Sequence, residues 1–101
     1  MNSETLLRPV TVTNEYGLHV RVATELVTTA KKYSSEVFLV KDGVKADAKS
    51  IFQILGLGAE KGTELVVNVR GEDAQDALVA VLRLLVANTD EQVRRGMRHG
   101  D

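Results

Sequence analysis

His19 and Arg21 are the residues whose types and spacing best suit group-transfer chemistry. An imidazole is a nucleophile that is partly unprotonated near neutral pH, since its reference pKa is about 6.5. A guanidinium two residues further along would neutralise the oxygens of a phosphoryl group. A lone histidine near a helix start is more often a surface residue or a weak cap, so this pair alone leaves both interpretations open.

The sequence around His19 predicts a loop that leads directly into a helix over 20–32. Gly17 permits a tight turn, because glycine adopts positive φ without steric cost. Apolar residues then recur with helical spacing at Val22, Ala23, Leu26, Val27 and Ala30. We therefore expect His19 just before the first helical turn. The unpaired amide N–H groups of such a turn carry partial positive charge and bind phosphate.

Ser50 is a second candidate for chemistry, at the start of a short helix predicted over 50–57. The simplest interpretation makes it an N-cap, whose hydroxyl accepts a hydrogen bond from a backbone amide. A phosphate on that hydroxyl would also fit at the helix start without disturbing the fold. Ile51, Phe52 and Ile54 are too many apolar residues for one buried stripe on two turns, so we expect at least one of them on the surface.

The remaining pattern predicts the elements that position these residues. Strands are expected over 6–13, 36–41, 44–46 and 63–70, and a last helix over 74–88. Since each helix has one apolar stripe and each strand one apolar face, the helices should cover one side of a mainly antiparallel sheet. We expect one domain over 1–88 and a polar tail over 89–101.

Four local signals refine this outline. They are a primed hairpin turn at Asp42-Gly43, a left-handed helix cap at Gly58, an N-cap at Asp73 assisted by Asp76, and a helix-end anchor at Tyr33.

Composition excludes several classes of function. The 101 residues include no cysteine, so disulfides and cysteine zinc sites are absent. The net charge of −1, without a basic surplus, argues against nucleic-acid binding. No signal peptide and no membrane-length apolar run is apparent. His19 and His99 are the only histidines and His99 falls in the predicted tail, so we expect neither a metal site nor a cofactor.

Three motifs in one order resemble the histidine-containing phosphocarrier (HPr) family over roughly residues 8–87. Gly-Leu-His-Val-Arg-Val-Ala at 17–23 resembles the family's active-site motif, Gly-Leu/Ile-His-Ala-Arg-Pro-Ala. The segment 47–58, followed by Lys61-Gly62, resembles its regulatory-serine helix and the turn after it. Gly-Glu-Asp-Ala at 71–74 resembles the opening of its final helix.

This resemblance implies a fold and a set of residue roles. The family's fold is α+β: an open-faced β-sandwich in which three helices cover one face of a four-stranded antiparallel sheet (βαββαβα). By resemblance, His19 accepts the phosphoryl group on Nδ1, Arg21 assists, and Ser50 is the regulatory serine. Ile51 and Phe52 would form an apolar patch that docks partners. Val22 replaces the family's usual proline, which restores a backbone donor and loosens the turn, and both changes bear on the transfer rate.

The resemblance also implies partners. Enzyme I of the bacterial phosphoenolpyruvate-dependent phosphotransferase system would donate to His19, and EIIA domains would accept. The HPr kinase/phosphorylase would act on Ser50. We expect a cytoplasmic, monomeric relay that is a component of sugar transport and not a stand-alone catalyst. An HPr-like regulatory module that controls other proteins through its phosphorylation state, without sugar transport, is the alternative. An independent enzyme is the weakest interpretation, since the short chain offers no second catalytic group.

Overall fold

A computed structural model describes residues 4–86 of the chain. Within residues 4–86, four strands and three helices follow one another in the predicted order βαββαβα. The elements are β1 (Glu4–Thr11), α1 (Val20–Ala30), β2 (Glu36–Lys41), β3 (Val44–Asp47), α2 (Ile51–Gly56), β4 (Glu64–Gly71) and α3 (Ala74–Val86). The predicted tail over 89–101 lies outside the described residues.

The strands form one four-stranded sheet in the order β1-β4-β2-β3, and every neighbouring pair is antiparallel. Strand β4 pairs with β1 along its whole length and with β2 on its other side. Pro9 lies in β1, which is an edge strand, as expected for a residue that has no amide hydrogen to donate. The sheet therefore brings the first and fourth strands together, and the loops at their ends meet near the start of α1.

Alternation along the strands places the core on one face of the sheet. In β4, Leu65, Val67 and Val69 are buried, whereas the residues between them are half-buried or exposed. The helices turn their apolar stripes toward the same face, which gives the open-faced sandwich implied by the resemblance. The largest fully buried side chains include Leu26, Leu39, Ile54, Leu65 and Leu85. No helix within residues 4–86 is long and apolar enough to cross a membrane.

The local turn signals are confirmed, with a small correction at one helix end. Asp42 and Gly43 both have positive φ (50° and 80°), as a primed hairpin turn requires. Gly58 (φ 61°) follows the last residues of α2 as the left-handed cap. Helix α1 ends at Ala30, two residues earlier than predicted, because the amide of Lys32 bonds the carbonyl of Thr29 in a tighter turn. Tyr33 packs against the core as expected.

Asp73 performs a role that local pattern does not predict. Its carbonyl oxygen accepts the Ala77 N–H at 3.0 Å, so it occupies the N-cap position of α3 as predicted. Its carboxylate, however, accepts the amides of Ser34 and Ser35, each at 2.9 Å, and the Ser35 hydroxyl. These bonds lower the pKa of Asp73 from 3.8 to about 2. The carboxylate thus fastens α3 to the loop between α1 and β2, in place of the capping box expected with Asp76.

Candidate functional site

His19 occupies the N-cap position of α1, where the sequence places it. Its backbone is extended (φ −76°, ψ 178°), and its carbonyl oxygen accepts the Ala23 N–H at 2.8 Å. The three amides at 20–22 therefore precede the first intrahelical hydrogen bond. The first turn of α1 contains no acidic residue. The positive end of the helix is thus open to an anion beside His19.

The loop before His19 is held tightly against the segment that follows α2. Gly17 has φ 68°, and a Cβ at this position would lie 2.4 Å from the Ala59 carbonyl oxygen and 2.7 Å from the Glu60 Cα. The next residue, Leu18, donates its amide to the same Ala59 carbonyl at 2.9 Å and is itself buried. Only glycine permits this approach, so the position of His19 depends on Gly17.

A second set of contacts fixes the beginning of this loop to the end of α3. The Thr13 amide donates to the Leu85 carbonyl at 3.0 Å, and the Thr13 hydroxyl bonds the Val86 carbonyl. Asn14 is buried, and its Nδ2 donates to the Leu84 carbonyl at 2.9 Å. These bonds tie the loop to carbonyl oxygens of the last described residues of α3. Asn14 also joins the two ends of the loop, because its carbonyl oxygen accepts the Gly17 amide at 2.9 Å and so closes a turn over residues 14–17.

His19 is half-buried, with one nitrogen of its ring inside the protein. Its Nε2 is buried and has no hydrogen-bond partner among residues 4–86. The Tyr16 ring lies against it in an edge-on arrangement, with ring centroids 6.1 Å apart and planes at 75°. Sequence reasoning did not identify Tyr16. The available signal was an aromatic residue in a polar turn, three positions before the histidine, where no core position is expected.

Arg21 and Val22 lie in the first turn of α1 but face different surroundings. Arg21 is exposed, two residues after His19, as the sequence predicts. Val22 is 1% exposed and packs into the core. The valine that replaces the family's proline therefore contributes a buried side chain in addition to a backbone N–H.

Ser50 is the N-cap of α2, as its simplest interpretation predicts. Its hydroxyl accepts the Gln53 amide at 3.4 Å. The Gln53 side chain in turn accepts the Asp47 amide at 2.8 Å, and the Asp47 carboxylate accepts the Lys49 amide at 2.8 Å. Ser50 is half-buried within this local network. The capping role and the phosphorylation role are compatible, since a phosphate at this position would face the same amides.

The apolar residues near these sites include several that the core does not use. Phe52 is 84% exposed and Ile51 is half-buried, so the expectation that one of them reaches the surface is confirmed. Val20 and Tyr16, on either side of His19 in sequence, are 62% and 71% exposed. Helices α1 and α2 pack against each other. The structure therefore has an exposed apolar set, Tyr16, Val20 and Phe52, on the two helices and the loop that carry the candidate sites.

Two surface grooves are found among residues 4–86. A shallow groove of about 510 Å³ runs between β1, the start of β4 and the β2–β3 turn, and a smaller one lies beside Leu57. His19 lines neither of them. A partly exposed imidazole outside these grooves suits reaction with a second macromolecule better than enclosure of a small substrate.

Comparison with known proteins agrees with this geometry. Residues 7–87 match the family model for the PTS HPr component phosphorylation site. Over 94 residues the chain is 34% identical to the multiphosphoryl transfer protein of Salmonella typhimurium, an alignment that covers 90% of this chain. The chain spans about a quarter (25%) of the length of that relative.

Solved structures show the same architecture. HPr-C-His from Thermoanaerobacter tengcongensis is 34% identical, with a TM-score of 0.79 over 82% of this chain and 93% of the other. Crh, the catabolite repression protein of Bacillus subtilis, is 38% identical, with a TM-score of 0.67 over 78% of this chain and 91% of the other. That crystal structure is described as a domain-swapped dimer.

Proposed function

Because this chain belongs to the HPr family of the phosphotransferase system, we propose that it carries a phosphoryl group on His19. Enzyme I donates the group and EIIA-type domains accept it. The carrying observation is the position of His19 at the N-cap of α1, half-buried and beside the amides at 20–22 that precede the first intrahelical hydrogen bond. The chain acts as a cytoplasmic relay between partners, within a domain over 1–88.

The transfer follows from the chemistry of the imidazole. The Nδ1 lone pair forms a bond to phosphorus, while the bond between phosphorus and the donor breaks and its electron pair leaves with the donor. The hydrogen on Nε2 stays in place. The burial of Nε2 supports attack from Nδ1. The amides at 20–22 and the Arg21 guanidinium neutralise the phosphoryl oxygens, since charge-assisted hydrogen bonds of this kind are the strong ones.

The docking surface in this proposal is the apolar pair Ile51 and Phe52 on α2. Phe52 exposes 84% of its surface, which folding does not require and which an interface would bury. Aromatic anchors of this kind dominate protein interfaces. Both the donor and the acceptor use the same patch, because each must reach the same imidazole. The carrier therefore binds its partners one at a time, and each of them transiently.

The test is ³¹P NMR of the chain after incubation with phosphoenolpyruvate and enzyme I. We expect one phosphate that is labile in acid and stable in base, as a phosphoramidate is. His19→Ala should abolish it, whereas His99→Ala, which removes the other histidine of the chain, should leave it unchanged. An acid-stable phosphate, or one that survives His19→Ala, would refute the assignment.

A second, regulatory function rests on Ser50 and on the likeness to Crh. In this proposal the HPr kinase/phosphorylase phosphorylates the Ser50 hydroxyl. The phosphate places about two negative charges beside the Ile51 and Phe52 patch and thereby alters partner choice. If a kinase assay labels Ser50→Ala as well as wild type, this function is refuted. Comparing transfer to EIIA before and after serine phosphorylation separates the regulatory role from the relay.

We also propose that the carrier is a monomer, because each partner needs direct access to His19. The Crh relative makes the dimer a concrete alternative. Sedimentation equilibrium over a hundredfold range of concentration tests this directly. A mass that doubles within the range would refute the monomer.

A further inference from the structure

The Tyr16 ring is the feature of the site that neither the core nor the loop contacts explain. It is 71% exposed, so burial does not account for it, yet it lies edge-on to the His19 imidazole at 6.1 Å. We propose that Tyr16 is a positioning residue. It holds the imidazole with Nε2 turned into the protein, so that only Nδ1 is presented to a phosphoryl donor. This inference rests on the proposed function of His19 as the phosphoryl acceptor.

The backbone of Tyr16 is placed firmly enough for such a role. Residues 14–17 form a turn closed by the bond from the Gly17 amide to the Asn14 carbonyl. The Asn14 side chain is anchored to α3, and Gly17 is pressed against Ala59. Tyr16 therefore projects from a segment that is fixed at both ends. Its ring can contact the imidazole without the entropic cost of ordering a mobile loop.

An imidazole needs such a restraint because its two nitrogens are both nucleophilic. Rotation of the His19 ring by 180° about the Cβ–Cγ bond exchanges the sides on which Nδ1 and Nε2 lie. The burial of Nε2 without a hydrogen-bond partner among residues 4–86 leaves the ring no polar contact there that would hold it. An aromatic pair with centroids between 4.5 and 7 Å apart supplies a restraint of the needed kind.

Loss of this restraint has a chemical signature. In the observed orientation the Nδ1 lone pair bonds to phosphorus, the donor leaves with its electron pair, and Nε2 keeps its hydrogen. In a ring that turns freely, Nε2 also reaches the donor. Its lone pair then forms the bond to phosphorus while Nδ1 carries the hydrogen. The two products are positional isomers of phosphohistidine, which ³¹P and ¹⁵N NMR distinguish.

The experiment uses the full chain and phosphoramidate, a small donor whose leaving group is ammonia and which needs no docking surface. Wild type and Tyr16→Phe, which keeps the ring, should give only the Nδ1 isomer. Tyr16→Leu should give a mixture and react at Nδ1 about two- to tenfold more slowly, the range that an aromatic pair supports. Val44→Ala, a change at an exposed apolar residue on β3, should behave as wild type.

Three outcomes would overturn the inference. If Tyr16→Leu gives the wild-type isomer at the wild-type rate, the ring positions nothing. If Tyr16→Leu is slower only with enzyme I, Tyr16 is a docking residue. If Tyr16→Phe behaves like Tyr16→Leu, the hydroxyl and not the ring is responsible. Failure of enzyme I to phosphorylate wild-type His19 would instead refute the proposed function, and the phosphoramidate isomers would still report on Tyr16. Since Tyr16 is exposed, melting temperatures should agree within about 4 °C.

Discussion

Replacement of Gly17 by alanine tests whether the close approach of two backbone segments positions the site. The new Cβ would lie 2.4 Å from the Ala59 carbonyl oxygen, and ordinary contact begins at 3.4 Å. The two segments must therefore separate by about 1 Å. That movement weakens the bond from Leu18 to Ala59, at a cost of about 1 kcal/mol. The left-handed conformation adds roughly 1–2 kcal/mol for any residue other than glycine.

Gly58→Ala is the matched control for this change. Gly58 has nearly the same φ (61° against 68°), but a Cβ added there would meet nothing within 4 Å. Both variants carry the conformational cost, and only Gly17→Ala carries the clash. In urea unfolding followed by circular dichroism, we expect Gly17→Ala to lose about 1–3 kcal/mol more than Gly58→Ala.

The rate of phosphorylation provides the second measurement. A displacement of about 1 Å at the loop carries His19 away from its position, and misplacement on this scale costs up to about a hundredfold in rate. Gly58→Ala should keep a rate close to wild type. Equal stability and equal rates in the two variants would show that the contact between Gly17 and Ala59 does not position His19.

Three further changes test other parts of the structure. Titration of the Asp73 carboxyl by NMR should give a pKa of about 2, because the Ser35 hydroxyl and the Ser34 amide stabilise its charged form. Because the pKa is lowered in the folded state, the charged carboxylate stabilises the folded protein above about pH 4, and this stabilisation is lost as the pH falls toward 2. Asp73→Asn should remove this dependence of the free energy of unfolding on acid pH, whereas Asp76→Asn should retain it. Ser50→Ala should cost about 0.5–2 kcal/mol in urea unfolding through loss of the cap, and Ser50→Asp, which can still cap, should recover most of it; equal stability of all three proteins would refute the capping role. Phe52→Ala should change unfolding by less than about 0.5 kcal/mol but weaken calorimetric binding to enzyme I, whereas the buried Ile54→Ala should cost about 2–5 kcal/mol; a large loss of stability in Phe52→Ala would contradict its place on the surface.

Much of the fold was predictable because local pattern and global packing agree in this chain. The alternation in β4 and the helical spacing after Val22 each identify an element and the face that it buries. The turn at Asp42-Gly43 and the cap at Gly58 were predictable because few residues adopt positive φ. Helix ends were harder to predict: α1 stops two residues early, where the amide of Lys32 bonds the carbonyl of Thr29 and so leaves the regular hydrogen-bond pattern.

The parts that could not be predicted depend on contacts between residues distant in sequence. The carboxylate of Asp73 bonds Ser34 and Ser35, 39 and 38 residues away, and no local rule selects those partners. Gly17 is predictable as a turn residue, but its contact with Ala59 exists only once the sheet is assembled. Tyr16 has no periodic neighbour that would mark it. Sequence pattern thus located His19, while the supports of its loop emerged only in three dimensions.

Three main-chain hydrogen bonds help to hold the loop that carries His19: Leu18 to Ala59, Thr13 to Leu85, and Gly17 to Asn14. Amides and carbonyls do not change when side chains mutate. Exposed residues on α1 and α2, such as Val20 and Phe52, make none of these bonds and can vary without breaking them. A scaffold of this kind permits new docking specificities to evolve, or to be engineered, while the chemistry of the acceptor is inherited intact.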